Sequence, residues 1–162
     1  TMTDRLSALT VLNRLGGAAR DAAFQNFERR YAAEPLILDS WFSLQAMGRG
    51  RDTLERVKKL MGHAGFQLTN PNRVRALIGA FANSNPRQFH RADGESYRFI
   101  AGFIGDIDAT NPQVAARLAT AFRTYRMLEP GRQAQARAAL MDLKARGNLS
   151  RDLADIVERA LA

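Results

Sequence analysis

Residues 70–90 read NPNRVRALIGAFANSNPRQFH, a stretch that begins two helices and fills one of them with apolar side chains. Proline disfavours the α conformation in the residue before it, which suits an N-cap, and its missing N–H costs nothing at the first helical position. We therefore expect Asn70 and Asn85, each followed by proline, to cap helices.

The residues that follow Pro71 repeat with the period of an α-helix. Four apolar residues stand at i, i+3, i+4 and i+7: Val74, Leu77, Ile78 and Phe81. At about 100° per residue they form one stripe. This spacing predicts that Arg73 and Arg75 lie on the two edges of the stripe.

The same period recurs along the chain, and no segment alternates as a strand would. Glycines stand where helices are expected to end, and all five prolines stand where helices are expected to begin. The predicted helices cover residues 3–15, 18–32, 35–48, 52–62, 71–83, 86–91, 95–109, 112–127, 130–146 and 150–161.

The helix starts also indicate a repeat. Pro35, Pro71, Pro112 and Ser150 are separated by 36, 41 and 38 residues. Each interval holds about two helices, close to the ~40-residue period of two-helix solenoid repeats. Two helices, 35–48 and 95–109, carry apolar residues on more than one face, as a helix between two neighbours does. We expect an all-α fold, a right-handed superhelical α-solenoid of HEAT/armadillo-like helix pairs.

Composition narrows the function classes. The chain has 162 residues, 46% hydrophobic and 25% charged, which is typical of a globular protein, and we expect one helical domain over residues 1–162. No apolar run approaches the ~20 residues of a membrane span, so no membrane partner is expected. Absence of cysteine excludes disulfides and fits a cytoplasmic location.

Charge leaves an alternative open. The net charge is +8, and every basic residue is arginine except Lys58, Lys59 and Lys144. Arginine binds phosphates and carboxylates, so a basic repeat module that holds nucleic acid or another protein is the alternative interpretation. No basic block or aromatic-interleaved patch stands out, and no nucleic-acid partner is expected.

The chain shows no self-contained active site. His63 and His90 are the two histidines, neither belongs to an HExxH zinc motif, and both are expected to be structural. Phosphate-binding glycine loops and a GxSxG nucleophile elbow are absent. The acids Asp93, Glu95, Asp106 and Asp108 are usual for helix starts and exposed faces.

Two arginines remain as candidates for substrate binding. Arg75 flanks the first stripe, and Arg117 lies about 60° to one side of Val114 on the stripe of the next proline-initiated helix. An arginine at such an edge can pack its aliphatic part on the core and expose its guanidinium group to solvent. Alternatively, it can line a concave surface and bind a carboxylate or a peptide carbonyl. Spacing alone leaves both readings open.

A family resemblance adds to these observations. The stretch 70–90 is followed by Asp93-Gly94, by Asn111-Pro112-Gln113-Val114-Ala115 with Arg117-Leu118, and by Leu149-Ser150 leading to Ala160-Leu161-Ala162. Together with Asp39-Ser40-Trp41-Phe42, these segments closely resemble the C-terminal helical domain of bacterial aminopeptidase N, in the M1 family of zinc metallo-aminopeptidases. The resemblance covers nearly the whole chain and is most specific from Asn70 to Leu118.

The resemblance implies a function that this chain does not perform alone. In that family the last domain is a helical superhelix that walls off a peptide-holding chamber, while the zinc site and the GAMEN motif lie in an earlier domain. We therefore expect a C-terminal fragment that binds no zinc, is inactive in isolation, and has as partners the preceding domains of its polypeptide and peptide substrates. By the same resemblance, Arg75 and Arg117 face the substrate path.

Overall fold

All 162 residues are described in a computed structural model, and they form helices and turns without strands. The helices divide into two compact units, Thr1–Gln88 and Phe89–Ala162. The first unit begins with α1 (Met2–Leu15), α2 (Gly17–Tyr31), α3 (Pro35–Ala46) and α4 (Thr53–Leu60). A continuous helical segment follows: α5 (Pro71–Val74), a π-helical turn (Arg75–Gly79) and α6 (Ala80–Ser84). Helix α7 (Pro86–Phe89) reaches the boundary between the units.

The core of the first unit forms where α3 packs against α1, α2, α4 and the π-helical turn. Phe42 and Leu77 are completely buried there, and the Trp41 indole N–H donates to the Phe24 backbone oxygen at 2.9 Å. Apolar residues were expected almost all around α3, yet Leu36 is 79% exposed and Met47 is 44% exposed. Both stand at the ends of the helix, where fewer neighbours can cover a side chain.

The second unit is built from α8 (Glu95–Ile107), α9 (Pro112–Ala119), α10 (Pro130–Ala145) and α11 (Arg151–Leu161). Helix α8 packs against α9 and α10, and α11 packs against the same two helices. Tyr97, Ile100 and Ile104 of α8 are fully buried. The wide apolar stripe predicted for this segment is therefore a core face.

The capping pattern agrees with the sequence expectation. The side-chain oxygens of Asn70, Asn85 and Asn111 accept backbone N–H groups of Arg73, Gln88 and Val114, at 3.1–3.3 Å. A proline at the first helical position follows each asparagine. These starts are local events, since the cap and the N–H it accepts are three residues apart.

Two predicted helices differ in detail. The helix expected over 112–127 ends at Ala119 and continues as 3₁₀ turns at Thr120–Phe122 and Tyr125–Met127. The Thr120 hydroxyl donates to the Arg117 carbonyl at 2.6 Å, a local bond that competes with the α-helical pattern. The helix expected over 71–83 contains the π-helical turn, which adds one residue to a turn and has no signature in apolar spacing.

Candidate functional site

Arg75 is the first residue of the π-helical turn and is exposed. Its guanidinium donates a hydrogen bond to the Asn72 side-chain oxygen one turn earlier. The Ser43 hydroxyl of α3 donates to the Ala76 carbonyl at 2.8 Å and so ties the turn to the neighbouring helix. Arg75 is thus presented to solvent from an anchored backbone, and π-helical turns occur often at functional positions.

Arg117 lies in the last turn of α9 and is also exposed. The residues on both sides of it, Ala116 and Leu118, are buried, which fixes the helix face that Arg117 presents. Its guanidinium makes no hydrogen bond or ion pair within the chain. The charge is available to a partner, and the same positive charge suits the C-terminal end of a helix.

The two candidate arginines belong to different units, Arg75 to Thr1–Gln88 and Arg117 to Phe89–Ala162. Each unit offers one exposed guanidinium beside a buried apolar stripe. Asn72 and Ser43, which orient the surroundings of Arg75, were not singled out from the sequence. Asn72 had a local signal, its position three residues before Arg75, whereas the contact of Ser43 spans 33 residues.

Arg73, expected at the other edge of the stripe, is buried with only 5% of its surface exposed. Its Nε–H donates to Asp39 Oδ1 at 2.5 Å, and Nη1 donates to the Gly65 carbonyl. The guanidinium carbon lies 5.0 Å from the centre of the Phe42 ring, a cation–π contact. Arg73 is therefore a structural residue that joins α3, the loop before α5 and α5 itself.

Arg73 also bears on the nucleic-acid alternative, which requires Arg73, Arg75, Arg117, Arg123 and Arg126 on one face. A buried guanidinium paired with a carboxylate cannot bind phosphate. Arg126 is engaged as well, since its Nη2 donates to the Ala160 carbonyl at 2.8 Å. Arg73 and Arg126 thus both bind groups of the chain itself.

His63 has both ring nitrogens occupied. Nε2 lies 2.8 Å from Glu28 Oε1, and Nδ1 accepts the Gly65 N–H at 2.8 Å. The ring also lies against Trp41 and Phe42, with centroids 5.4 and 5.3 Å apart. These contacts hold the loop after α4 on α2 and α3, which is a structural role.

His90 belongs to a buried cluster in the second unit. The Tyr97 hydroxyl lies 2.7 Å from His90 Nδ1, and the Arg132 Nε–H donates to the His90 carbonyl at 2.6 Å. Burial lowers the pKa of His90, and the positive charge of Arg132 lowers it further. Burial also raises the pKa of Tyr97 to about 12, so the hydroxyl keeps its proton and donates to the neutral ring.

The residues present do not fit a zinc ion. No three His, Asp or Glu side chains are grouped to hold a metal, and the occupied nitrogens of His63 remove one of only two imidazoles. The acids near α8 have other partners: Asp93 pairs with Arg91 at 2.7 Å, and Asp106 pairs with Arg146 at 2.8 Å. No chemistry that needs a bound metal is assigned to these side chains.

None of the helices is both long and apolar enough to cross a membrane.

The whole chain is similar to known proteins. The family described as "Domain of unknown function (DUF3458_C) ARM repeats" matches residues 1–162. Aminopeptidase N of Escherichia coli is 42% identical over 161 residues, and that of Caulobacter vibrioides is 40% identical over 160. Each alignment covers 99% of this chain and 18% of the relative.

A solved structure is similar as well. The crystal structure of Legionella pneumophila aminopeptidase A in complex with aspartic acid matches with a TM-score of 0.90 at 35% sequence identity. The match covers 96% of this chain and 18% of that one. The chain therefore spans about a fifth of the length of the relatives it matches.

Proposed function

The chain belongs to the DUF3458_C ARM-repeat family, which confirms the expected helical solenoid, and on that premise we propose that it is the C-terminal domain of a zinc-dependent aminopeptidase N. The whole enzyme would release N-terminal amino acids from peptides. The proposal depends above all on the 42% identity to Escherichia coli aminopeptidase N across 161 residues. It places this chain, as one helical domain, within a larger M1-family polypeptide of the cytoplasm.

In this proposal the chain contributes a wall and gate of the substrate chamber, and no zinc ligand. The absence of any metal-binding group supports this division, because the chemistry then has to reside elsewhere in the polypeptide. A wall that admits short peptides and excludes folded chains would make size selection steric. The partners are the preceding domains and peptide substrates, without nucleic acid or membrane.

Exposed apolar side chains support contact with the preceding domains. The first unit exposes five large ones and the second unit two, so the imbalance favours an interface on the first unit. Val11 and Leu15 stand one turn apart on α1, 56% and 77% exposed. The others in the first unit are Leu36, Met47 and Leu68.

Arg75 and Arg117 would bind the substrate in this wall. A guanidinium donates two parallel hydrogen bonds to a carboxylate and also bonds peptide carbonyls. Arg117 has its donors free, and Arg75 uses one contact, to Asn72, that leaves other donors available. Both groups therefore suit the carboxylate or the backbone of a peptide that extends beyond the catalytic residues.

The test is a kinetic series on the full-length enzyme with alanine-leading peptides of two to eight residues. Arg117→Ala is expected to raise KM about tenfold for the longer peptides, equivalent to ~1.4 kcal/mol of binding, and to leave dipeptides unaffected. Arg75→Ala is expected to behave in the same way. Arg123→Ala, which removes another exposed arginine of the second unit, is the matched control. Unchanged KM at every peptide length would remove both arginines from the substrate path.

A further inference from the structure

A second feature of the first unit is a cavity of about 300 Å³ near the ends of α1, α3 and α6. Three arginines line it from three different segments: Arg14 from α1, Arg49 from the turn after α3, and Arg87 from α7. Thr10 and Ser84 also line it. The lining contains no aspartate or glutamate, so the three basic residues of the wall have no negative side chain beside them in it.

None of the three guanidinium groups is engaged within the chain. Arg14, Arg49 and Arg87 are exposed, and their side chains make no hydrogen bond, ion pair or ring contact. Two other arginines of the unit are held by neighbouring side chains. Arg20 donates to Asn13 and Gln45, and Arg56 pairs with Asp52 at 2.9 Å. The three cavity arginines thus differ from Arg20 and Arg56, whose guanidinium groups are held by side chains of the same unit.

A structural explanation for the three charges is that they neutralise the carbonyl ends of helices, which carry partial negative charge. Amide side chains already occupy those carbonyls. Asn13 donates to the Leu44 carbonyl at 2.6 Å, and Asn85 donates to the carbonyls of Ala46 and Gly48 at 2.9 and 2.8 Å. Gln88 donates to the Arg49 carbonyl at 2.7 Å. The end of α3 is capped without the arginines, which leaves their donors for another group.

We propose that this cavity binds a small phosphate monoester. A phosphate group presents three terminal oxygens in a tetrahedral arrangement, which suits guanidinium groups that approach from three segments, whereas a carboxylate presents two oxygens in one plane. Leu44 and Pro86 add apolar wall, which accommodates the organic part of the ester. The volume lies at the lower end of the range for small-molecule sites.

The probe for this site is phenyl phosphate, which carries one dianionic phosphate and a small apolar ring. Its binding to the full-length polypeptide is measured by isothermal titration calorimetry. The triple variant Arg14→Ala/Arg49→Ala/Arg87→Ala is expected to weaken binding by at least about a hundredfold, since a hydrogen bond to a charged group contributes roughly tenfold or more. Binding does not depend on peptidase activity, so the result is separate from that of the proposed function.

The matched control is Arg123→Ala/Arg151→Ala/Arg159→Ala, which removes the same charge from exposed arginines of the second unit. It is expected to bind phenyl phosphate within about twofold of the unaltered protein. Equal weakening by both triple variants would show that only the overall charge matters and would overturn the site. Absence of binding to the unaltered protein would overturn it as well.

Two further measurements keep the outcome interpretable. Arg87→Lys retains the charge and loses the planar pair of donors, so it is expected to weaken binding about tenfold even if the triple variant does not fold. Unchanged affinity in Arg87→Lys would contradict the assigned geometry. Benzoate, with a carboxylate in place of the phosphate, is expected to bind at least tenfold more weakly than phenyl phosphate. Equal or tighter binding of benzoate would overturn the assignment to a phosphate.

Discussion

Two arginines two positions apart on the same helical segment have opposite roles. Arg73 is 5% exposed and bonded to Asp39 and to backbone carbonyls, whereas Arg75 is exposed with one local contact. Their side chains leave the helix about 200° apart, so one turns into the unit and the other turns to solvent. The difference decides which one is available to a ligand and which one supports the fold.

This contrast predicts unequal effects on stability. Arg73→Ala leaves the carboxylate of Asp39 without its partner, and breaking a buried pair in this way typically costs ~3 kcal/mol or more. Arg75→Ala is expected to change the free energy of unfolding by less than about 0.5 kcal/mol, as exposed substitutions do. Urea denaturation of the 162-residue chain measures both.

The double variant Arg73→Ala/Asp39→Ala serves as the control. Removing the carboxylate also removes the cost of leaving it unpaired, so the double variant is expected to be more stable than Arg73→Ala alone. Equal destabilisation by Arg73→Ala and Arg75→Ala would contradict the structural role assigned to Arg73.

What the sequence reveals about a residue depends on how distant its partners are. The asparagine caps were predictable because each cap and its N–H are three residues apart. The burial of Arg73 was not predictable from the sequence, because it depends on Asp39, 34 residues earlier, and on the ring of Phe42. The apolar period predicted that Arg73 lies at the edge of the stripe. It could not predict the contact between Arg73 and a carboxylate on another helix.

At the scale of elements, His90 links the helices α8 and α10, because its ring contacts Tyr97 of α8 and its carbonyl accepts from Arg132 of α10. The rings of Phe89 and Phe122 pack against Tyr97, with centroids 5.2 and 6.0 Å from the centre of its ring. The neutral imidazole accepts the hydroxyl proton of Tyr97. Protonation at Nδ1 would remove this acceptor and place a second positive charge close to Arg132.

This packing predicts a pH dependence of stability. The pKa of His90 is lowered from 6.5 in the folded chain by burial first and by Arg132 second. Between pH 6.5 and the lower pKa of the folded chain, the unfolded chain binds a proton that the folded chain does not, so the free energy of unfolding falls as the pH is lowered from 6.5 towards the folded pKa. Above pH 6.5 both states are neutral at this position and the contribution is complete.

Urea denaturation at several pH values between 7.5 and 5 measures the effect, with His90→Gln as the comparison. Glutamine does not titrate, so the variant is expected to lose less stability than the unaltered chain over this interval. The acidic neighbour Glu129 has a lowered pKa, chiefly from the backbone N–H of Arg132 and Gly131, and stays ionised there. Parallel pH profiles for the two proteins would contradict the account of His90.

Elements were predictable to different degrees. Helix starts followed from the Asn-Pro pairs and the apolar period, and Val114, on the apolar stripe of the helix that begins at Pro112, is buried. The end of α9 at Ala119 was not predictable, because 3₁₀ turns can bury the same apolar side chains as an α-helix does. Likewise, Arg14, Arg49 and Arg87 line one cavity but are far apart in the sequence. No local sequence pattern could therefore predict this cavity.

At the scale of the whole molecule, two compact helical units hold no metal-binding group and span 18% of the length of related aminopeptidases. We propose that this chain shapes the substrate chamber and depends on the rest of its polypeptide for chemistry. The resemblance read from residues 70–118 agrees with the comparisons. The substrate-binding roles of Arg75 and Arg117 remain predictions.

The most direct test is a side-by-side assay of the 162-residue chain and the full-length polypeptide for release of alanine from a chromogenic alanine amide, with and without added zinc. The account predicts zinc-dependent release by the full-length polypeptide and none by the isolated chain at any zinc concentration. Zinc-dependent release by the isolated chain would contradict it, because no group of side chains described here can hold the metal.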